Sequence, residues 1–128
     1  MRAFFSFLRA SSVLALAVVT VAAAAPKPKF TIKQVMKEAI KGNDALVKKA
    51  CKGTATPEEL AKMVEYFKAM KACVPPKGDL DSWEQKAGAL LDAALRVQKS
   101  PQDKDASYAL EQAVECRQCH TPHKPGKK

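Results

Sequence analysis

Histidine is scarce in this sequence, and so are the patterns that mark an enzyme or a β-sheet. His120 and His123 are the two imidazoles among 128 residues, and no nucleophile and base elsewhere form a recognisable catalytic set. We therefore predict that the protein is not an enzyme. No stretch shows the sustained alternation of apolar and polar residues that indicates a strand. The predicted fold class is all-α.

Acidic residues are the minority among the charged ones. The chain carries 22 Lys and Arg against 13 Asp and Glu, a formal net charge of +9. The lysines are scattered along the chain, which is typical of a solvated surface and argues against nucleic acid as a partner. Acidic redox proteins or anionic lipid head groups suit such a surface better.

The N-terminal segment has the features of a secretory signal peptide. Arg2 and Arg9 supply the positive start, residues 13–25 form an uncharged apolar run, and residues 22–24 offer a small-residue cleavage site. A bilayer span needs about 20 apolar residues, so this shorter run favours cleavage over a retained membrane anchor. We predict a signal peptide at residues 1–24, a linker at 25–30, one domain at 31–123 and a basic tail at 124–128. The predicted location is the periplasm, with membrane attachment only if the signal segment is retained.

Apolar residues recur at helical spacing in four segments of the predicted domain. Residues 42–44 interrupt the first segment, which fits one helix with a weak point or two short helices in line. Pro75 and Pro76 end the second helix, and the fourth runs on to His120 and stops at Pro122. The helices have start signals at Thr31, at Thr56, at Asp81 or Ser82, and at Ser100. Such helices pack most simply as an antiparallel up-down-up-down four-helix bundle.

Near the C-terminus, Cys116, Cys119 and His120 form the C-x-x-C-H pattern used for covalent attachment of c-type haem. Two thiols separated by two residues can each form a thioether to the same porphyrin edge, and the adjacent imidazole can ligate the iron. An export signal fits, because haem attachment to this motif needs an extracytoplasmic maturation system in bacteria. Three alternatives stay open: a redox dithiol, a zinc site completed by His123, and ordinary disulfides.

A C-x-x-C-H motif on the fourth helix of a small exported chain resembles class II cytochromes c, the cytochrome c-prime group and its low-spin relatives. The resemblance extends over residues 30–123. In low-spin members, a Met near the start of the first helix is the distal iron ligand, and Met36 holds the matching position. Because helices one and four would be antiparallel, Met36 and His120 are expected at the same end of the bundle. Met63 and Met70 are interpreted as core residues and His123 as a surface residue.

The resemblance implies a carrier of one electron with one covalent haem c. Cys116 and Cys119 would hold the haem near the C-terminal end of the fourth helix, with His120 and Met36 as axial ligands. One alternative is a five-coordinate protein of the c-prime type that binds nitric oxide or carbon monoxide. Another is a structural zinc or disulfide module without haem. Class II proteins often form dimers through helices one and two, so a homodimer is a further option.

Cys51 and Cys73 depart from the family pattern. Two additional cysteines in an exported protein favour a disulfide. In a simple hairpin of helices one and two they would lie at opposite ends, beyond the roughly 7 Å Cα separation that a disulfide allows. We predict the bridge on the condition that the break at residues 42–44 redirects the chain.

Overall fold

The computed structural model describes residues 27–126, and that part of the chain is helical and contains no strand. The predicted all-α class is therefore confirmed. The predicted signal peptide at residues 1–24 lies outside the described residues. Among the described helices, none is long and apolar enough to cross a membrane.

The helical elements follow one another with short connections. They are α1 (Ile32–Val35), continued by a π-helical turn (Met36–Ile40), then α2 (Leu46–Cys51), α3 (Pro57–Ala72), α4 (Leu80–Lys99), α5 (Lys104–Ala113) and α6 (Cys116–His123).

The first predicted helix is divided into two short segments, α1 with the π-helical turn and then α2. Thr31 caps α1, with its side chain accepting from the Gln34 amide while the Gln34 side chain accepts from the Thr31 amide. The π-helical turn closes with a 2.9 Å bond from the Lys41 amide to the Met36 carbonyl. Gly42 follows with φ of +98°, a conformation that residues with a Cβ rarely adopt. The predicted interruption at residues 42–44 is thus confirmed.

The start of α3 is where its sequence signals place it. Thr56 and Glu59 form a reciprocal capping box, and Pro57 occupies the first helical position. The helix ends at Ala72, before Pro75 and Pro76.

Two helices begin on other capping residues than predicted. We predicted the start of the third helix near Asp81 or Ser82, and α4 begins at Leu80, where Asp79 caps it by accepting from the Ser82 amide. We predicted the start of the fourth at Ser100, but Asp103 caps α5 by accepting from the Asp105 amide. In both places a carboxylate accepts from the free amides of the first turn.

The predicted fourth helix does not run unbroken into the C-x-x-C-H motif. Helix α5 ends at Ala113, and the Glu115 carboxylate accepts from the amides of Arg117 and Gln118 to begin α6. The prediction that Pro122 ends the motif helix is also wrong, because Pro122 lies within α6. Pro122 lacks the amide that would bond to the carbonyl of Gln118, and the helix ends one residue later. The motif therefore lies on a short helix of its own.

The helices bury one apolar core. Helix α3 packs most extensively on α4, α4 also packs on α5, α2 contacts α3 and α5, and α1 contacts α3. Helix α6 lies against α4. The largest fully buried side chains are Phe67, Met63, Leu110, Val35 and Val97. The interpretation of Met63 as a core residue is confirmed.

Candidate haem-attachment site

In residues 27–126, a large cavity opens where α1, the end of α3, the start of α4 and α6 meet. Its volume is about 1140 Å³, at or above the upper end of the usual range for small-molecule sites. Its walls are mainly apolar and include Phe30, Ile32, Met36, Met70, Trp83 and Leu90. The cavity is thus large enough for a sizeable apolar group.

Three of the four residues predicted from the haem motif and the family resemblance line this one cavity: Met36, Cys119 and His120. Met36 lies in the π-helical turn, whereas Cys119 and His120 lie on α6. All three are partly buried. Cys116 lies one turn before His120 on α6, is exposed and does not line the cavity. The structure therefore brings the predicted distal ligand to the face where the motif lies.

Burial and charged neighbours both act on the pKa of the Cys119 thiol. Burial raises the pKa of the Cys119 thiol above its usual value, while the nearby Lys86 ammonium opposes the rise. A raised pKa keeps the thiol protonated at neutral pH and limits its reactivity towards oxidants and metals.

The residues around the cavity fit a haem. A haem is a flat apolar ring with two carboxylates on one edge, and here apolar walls adjoin exposed lysines such as Lys33 and Lys37. In the described part, the Trp83 indole nitrogen is the buried side-chain N or O atom without a hydrogen-bond partner. Such an unpaired group costs about 1–3 kcal/mol, and it belongs to a residue that lines the cavity.

No family model, curated protein or solved structure matches this chain.

His123 is not a surface residue, contrary to the prediction. It is buried, with 3% of its surface exposed. Its Nδ1 lies 3.0 Å from the carbonyl oxygen of Lys77, which can only accept, so Nδ1 donates. Its Nε2 then accepts from the Ser82 hydroxyl at 3.2 Å. The imidazole also packs edge-on against Trp83, with 5.4 Å between ring centroids. His123 therefore fastens the end of α6 to the loop before α4.

The two hydrogen bonds of the His123 ring argue against a zinc site at the motif. Both ring nitrogens of His123 already have partners, so His123 is not free to complete a set with Cys116, Cys119 and His120. Between residues 27 and 126, no three His, Cys, Asp or Glu side chains are grouped to hold a metal ion. The donor geometry thus disfavours a zinc centre at the motif.

The loop between α3 and α4 comes very close to α6 at Gly78. A Cβ at this position would stand 2.5 Å from the carbonyl oxygen of Pro122 and 2.8 Å from Nδ1 of His123, and φ here is +86°. Glycine is thus required both by the backbone conformation and by the contact. The periodicity of the sequence carries no signal for this contact.

Cys51 and Cys73 are not brought together, so the structure does not support the predicted disulfide. The Cys51 thiol faces the carbonyl of Ser107 at 3.9 Å, and the Cys73 thiol faces the carbonyl of Phe30 at 3.4 Å. Cys73 lines the large cavity, whereas Cys51 lines a smaller one between α2 and α5. The break at residues 42–44 is present, but the two thiols are not joined.

We expect mass mapping without reductant to find Cys51 and Cys73 unlinked. Burial, assisted by the nearby Glu111 carboxylate, raises the pKa of the Cys51 thiol to about 11. Roughly one thousandth of it is then thiolate at pH 8, so iodoacetamide should modify native Cys51 slowly and unfolded Cys51 quickly. Cys73→Ser is the matched control and should leave the Cys51 rate unchanged. A peptide pair joined through sulfur would contradict the structure.

Proposed function

We propose that this protein is an exported carrier of one electron with a single covalent haem c. Cys116 and Cys119 attach the haem, and His120 and Met36 ligate its iron. The observation that carries the proposal is that Met36, Cys119 and His120 line one large apolar cavity, although Met36 lies 80 residues before the first residue of the motif. An enzymatic function is not proposed.

The proposed architecture is the antiparallel four-helix bundle of class II cytochromes c. We call the four antiparallel segments of this bundle its arms. The first arm consists of α1 and α2, the second is α3, the third is α4, and the fourth consists of α5 and α6. The packing of α3 on α4 and of α4 on α5 supports it, as does the contact of α2 with α5. The arrangement also explains why residues of α1 and α6 meet at one cavity.

The chain's own residues perform three tasks in this proposal. Met70, Trp83 and Leu90 keep water away from the cavity walls, which lowers the local dielectric and disfavours added positive charge at the site. His123 and Gly78 hold α6 against the α3–α4 loop, which keeps His120 in a fixed position. When bound, the haem supplies reversible one-electron chemistry, and methionine ligation raises its potential. No side chain needs to move a proton.

The proposed partners are redox proteins, and the proposed location is the periplasm. The excess of lysine over acidic residues suits an acidic partner. A homodimer through the first two arms remains part of the proposal, as in related class II proteins. Membrane attachment enters only if residues 1–24 are retained.

The test is export of the full chain in a bacterial host that matures c-type cytochromes. We expect the wild type to gain the mass of one haem and to show a reducible haem spectrum that survives denaturation. The Cys116→Ser/Cys119→Ser double variant should lose all covalent haem because no thioether can form. The Cys51→Ser/Cys73→Ser double variant is the matched control and should keep the haem. A colourless wild type from such a host would refute the proposal.

A further inference from the structure

Residues 27–30 precede α1 and border the large cavity without belonging to a helix. Lys27, Pro28 and Phe30 are among the residues that line the cavity, although this segment lies in the predicted linker. Lys27, Pro28 and Lys29 are exposed, whereas Phe30 is partly buried and packs against the core. We call residues 27–30 the strap. A segment outside the helices thus forms part of the cavity wall.

Two contacts hold the strap to α3, and both involve Phe30. Its ring packs on the ring of Tyr66 with 4.5 Å between the centroids, at the short end of the roughly 4.5–7 Å range at which aromatic pairs attract. Its carbonyl oxygen accepts from the Cys73 thiol at 3.4 Å. Tyr66 lies within α3, and Cys73 caps the C-terminal end of that helix. Phe30 therefore anchors the strap along the final part of α3.

The strap is held by little else. Within the part of the chain that the structure describes, no backbone-to-backbone hydrogen bond outside the helices involves residues 27–30. The next residue, Thr31, is fixed because it forms the capping box of α1 with Gln34. Opening of the strap therefore breaks the two contacts of Phe30 and leaves α1 in place. A segment with so few contacts opens at a small part of the free energy of global unfolding.

The strap borders the same part of the cavity as the predicted distal ligand. One residue, Thr31, joins it to α1, and Met36 follows directly on α1. Helix α1 contacts α3, so α1, the strap and the end of α3 form one wall. His120 borders the cavity from α6 instead. A molecule that approaches Met36 between α1 and the end of α3 has to pass the strap.

We propose that the strap is a lid over the Met36 side of the haem, and that Phe30, latched by the Cys73 thiol, sets how fast small neutral ligands reach the iron. This inference rests on the proposed function, since it requires a haem in the cavity. A closed lid favours electron transfer over the binding of diatomic molecules at the same iron. It also gives a role to Cys73, a cysteine that neither haem attachment nor a disulfide uses.

The first experiment measures carbon monoxide binding after laser photolysis. It uses reduced holoprotein of Met36→Leu, in which the iron should have an open position. Carbon monoxide adds to ferrous iron without electron transfer, so its bimolecular rate reports access to the iron. Met36→Leu/Phe30→Ala should bind it about tenfold faster, because alanine cannot make the ring contact with Tyr66.

The latch is tested by two substitutions at Cys73 in the same Met36→Leu protein. Cys73→Ala removes the donor to the Phe30 carbonyl and should speed binding about threefold. Cys73→Ser should restore the slow rate, because a hydroxyl can donate to the same carbonyl. The control is Tyr108→Ala, since Tyr108 is a 62% exposed aromatic residue on α5 that does not line this cavity. It should change the rate by less than about twofold.

The second experiment follows the strap without using the haem. Native protein with Met36 intact is treated with iodoacetamide, and modification is measured for each cysteine peptide. Burial raises the pKa of the Cys73 thiol, which keeps its reaction slow. Phe30→Ala should speed modification of Cys73 about fivefold by freeing its thiol. The Cys51 rate in the same sample is the internal control and should stay the same, because Cys51 lines the other cavity.

The haem spectrum is recorded first in every case. A colourless protein refutes the proposed function, whereas a haem protein whose carbon monoxide rate does not respond to Phe30→Ala refutes this inference alone. Faster modification of Cys73 without faster carbon monoxide binding would also overturn it, because the strap would then open without controlling access. If Cys73→Ser behaved like Cys73→Ala, the thiol would not be the latch.

Discussion

Met36→Leu should convert the ferric protein from a low-spin to a high-spin spectrum. The proposed bond from the Met36 sulfur to the iron would be lost, while the leucine keeps nearly the same volume. We expect loss of the weak near-infrared band of methionine-ligated ferric haem and a fall in the midpoint potential. The reduced variant should then bind carbon monoxide, which the wild type should not. Absorption spectra and a redox titration measure all of these effects.

The matched control is Met70→Leu, because Met70 is the other methionine that lines the cavity. Met70 is 5% exposed and belongs to the core, so the substitution should leave the spectrum unchanged. If Met70→Leu removes the band and Met36→Leu does not, the distal ligand is Met70. A wild type that is already high-spin and binds carbon monoxide would favour the five-coordinate alternative of the c-prime type.

Gly78→Ala should destabilise the protein by about 2–5 kcal/mol. A residue with a Cβ costs about 1–2 kcal/mol in the left-handed region, and the crowding of Pro122 and His123 adds about 1–3 kcal/mol. The nearest atom is a backbone carbonyl oxygen at 2.5 Å, which cannot rotate away as a side chain can. Denaturant titration followed by circular dichroism gives the free energy of unfolding.

Substitutions at two other glycines separate the cost of the backbone conformation from the cost of crowding. Gly42 also has a positive φ, but a Cβ there would meet nothing within 4 Å, so Gly42→Ala should cost about 1–2 kcal/mol from conformation alone. Gly88 lies inside α4 in ordinary contact with Lys71, and Gly88→Ala should stabilise by about 0.5–1 kcal/mol. If Gly78→Ala cost no more than Gly42→Ala, the contact with α6 would have no energetic weight.

Local chemistry in the sequence predicted the helices well where the start signals were complete. Thr31 and Thr56 each had a partner three residues later, and both form capping boxes. The capping residues Asp79 and Asp103 were missed because several candidate caps stand within three residues of each other. The break at Glu115 was missed because the apolar spacing continues from α5 towards the motif, and periodicity does not report which carboxylate accepts the first-turn amides.

Only the part of the site that follows from an antiparallel arrangement of the helices could be predicted from the sequence. That geometry predicts Met36 near His120, and both residues line the cavity. The burial of His123 depends on acceptors and donors from Lys77 and Ser82, more than 40 residues away. The side chains of Trp83 and Met70 follow the ordinary apolar pattern of their helices. That pattern indicates burial but does not distinguish the core from a cavity wall.

The break at Glu115 gives the motif its own local stability. An isolated helix of eight residues does not persist in water, so α6 is helical because of what it touches. Its order comes from the contacts of Pro122 and His123 with the loop around Gly78 and with α4. Opening of α6 therefore needs only the free energy of that one contact region and not the free energy of global unfolding. The partly buried Cys119 thiol can become accessible while α3, α4 and α5 stay packed.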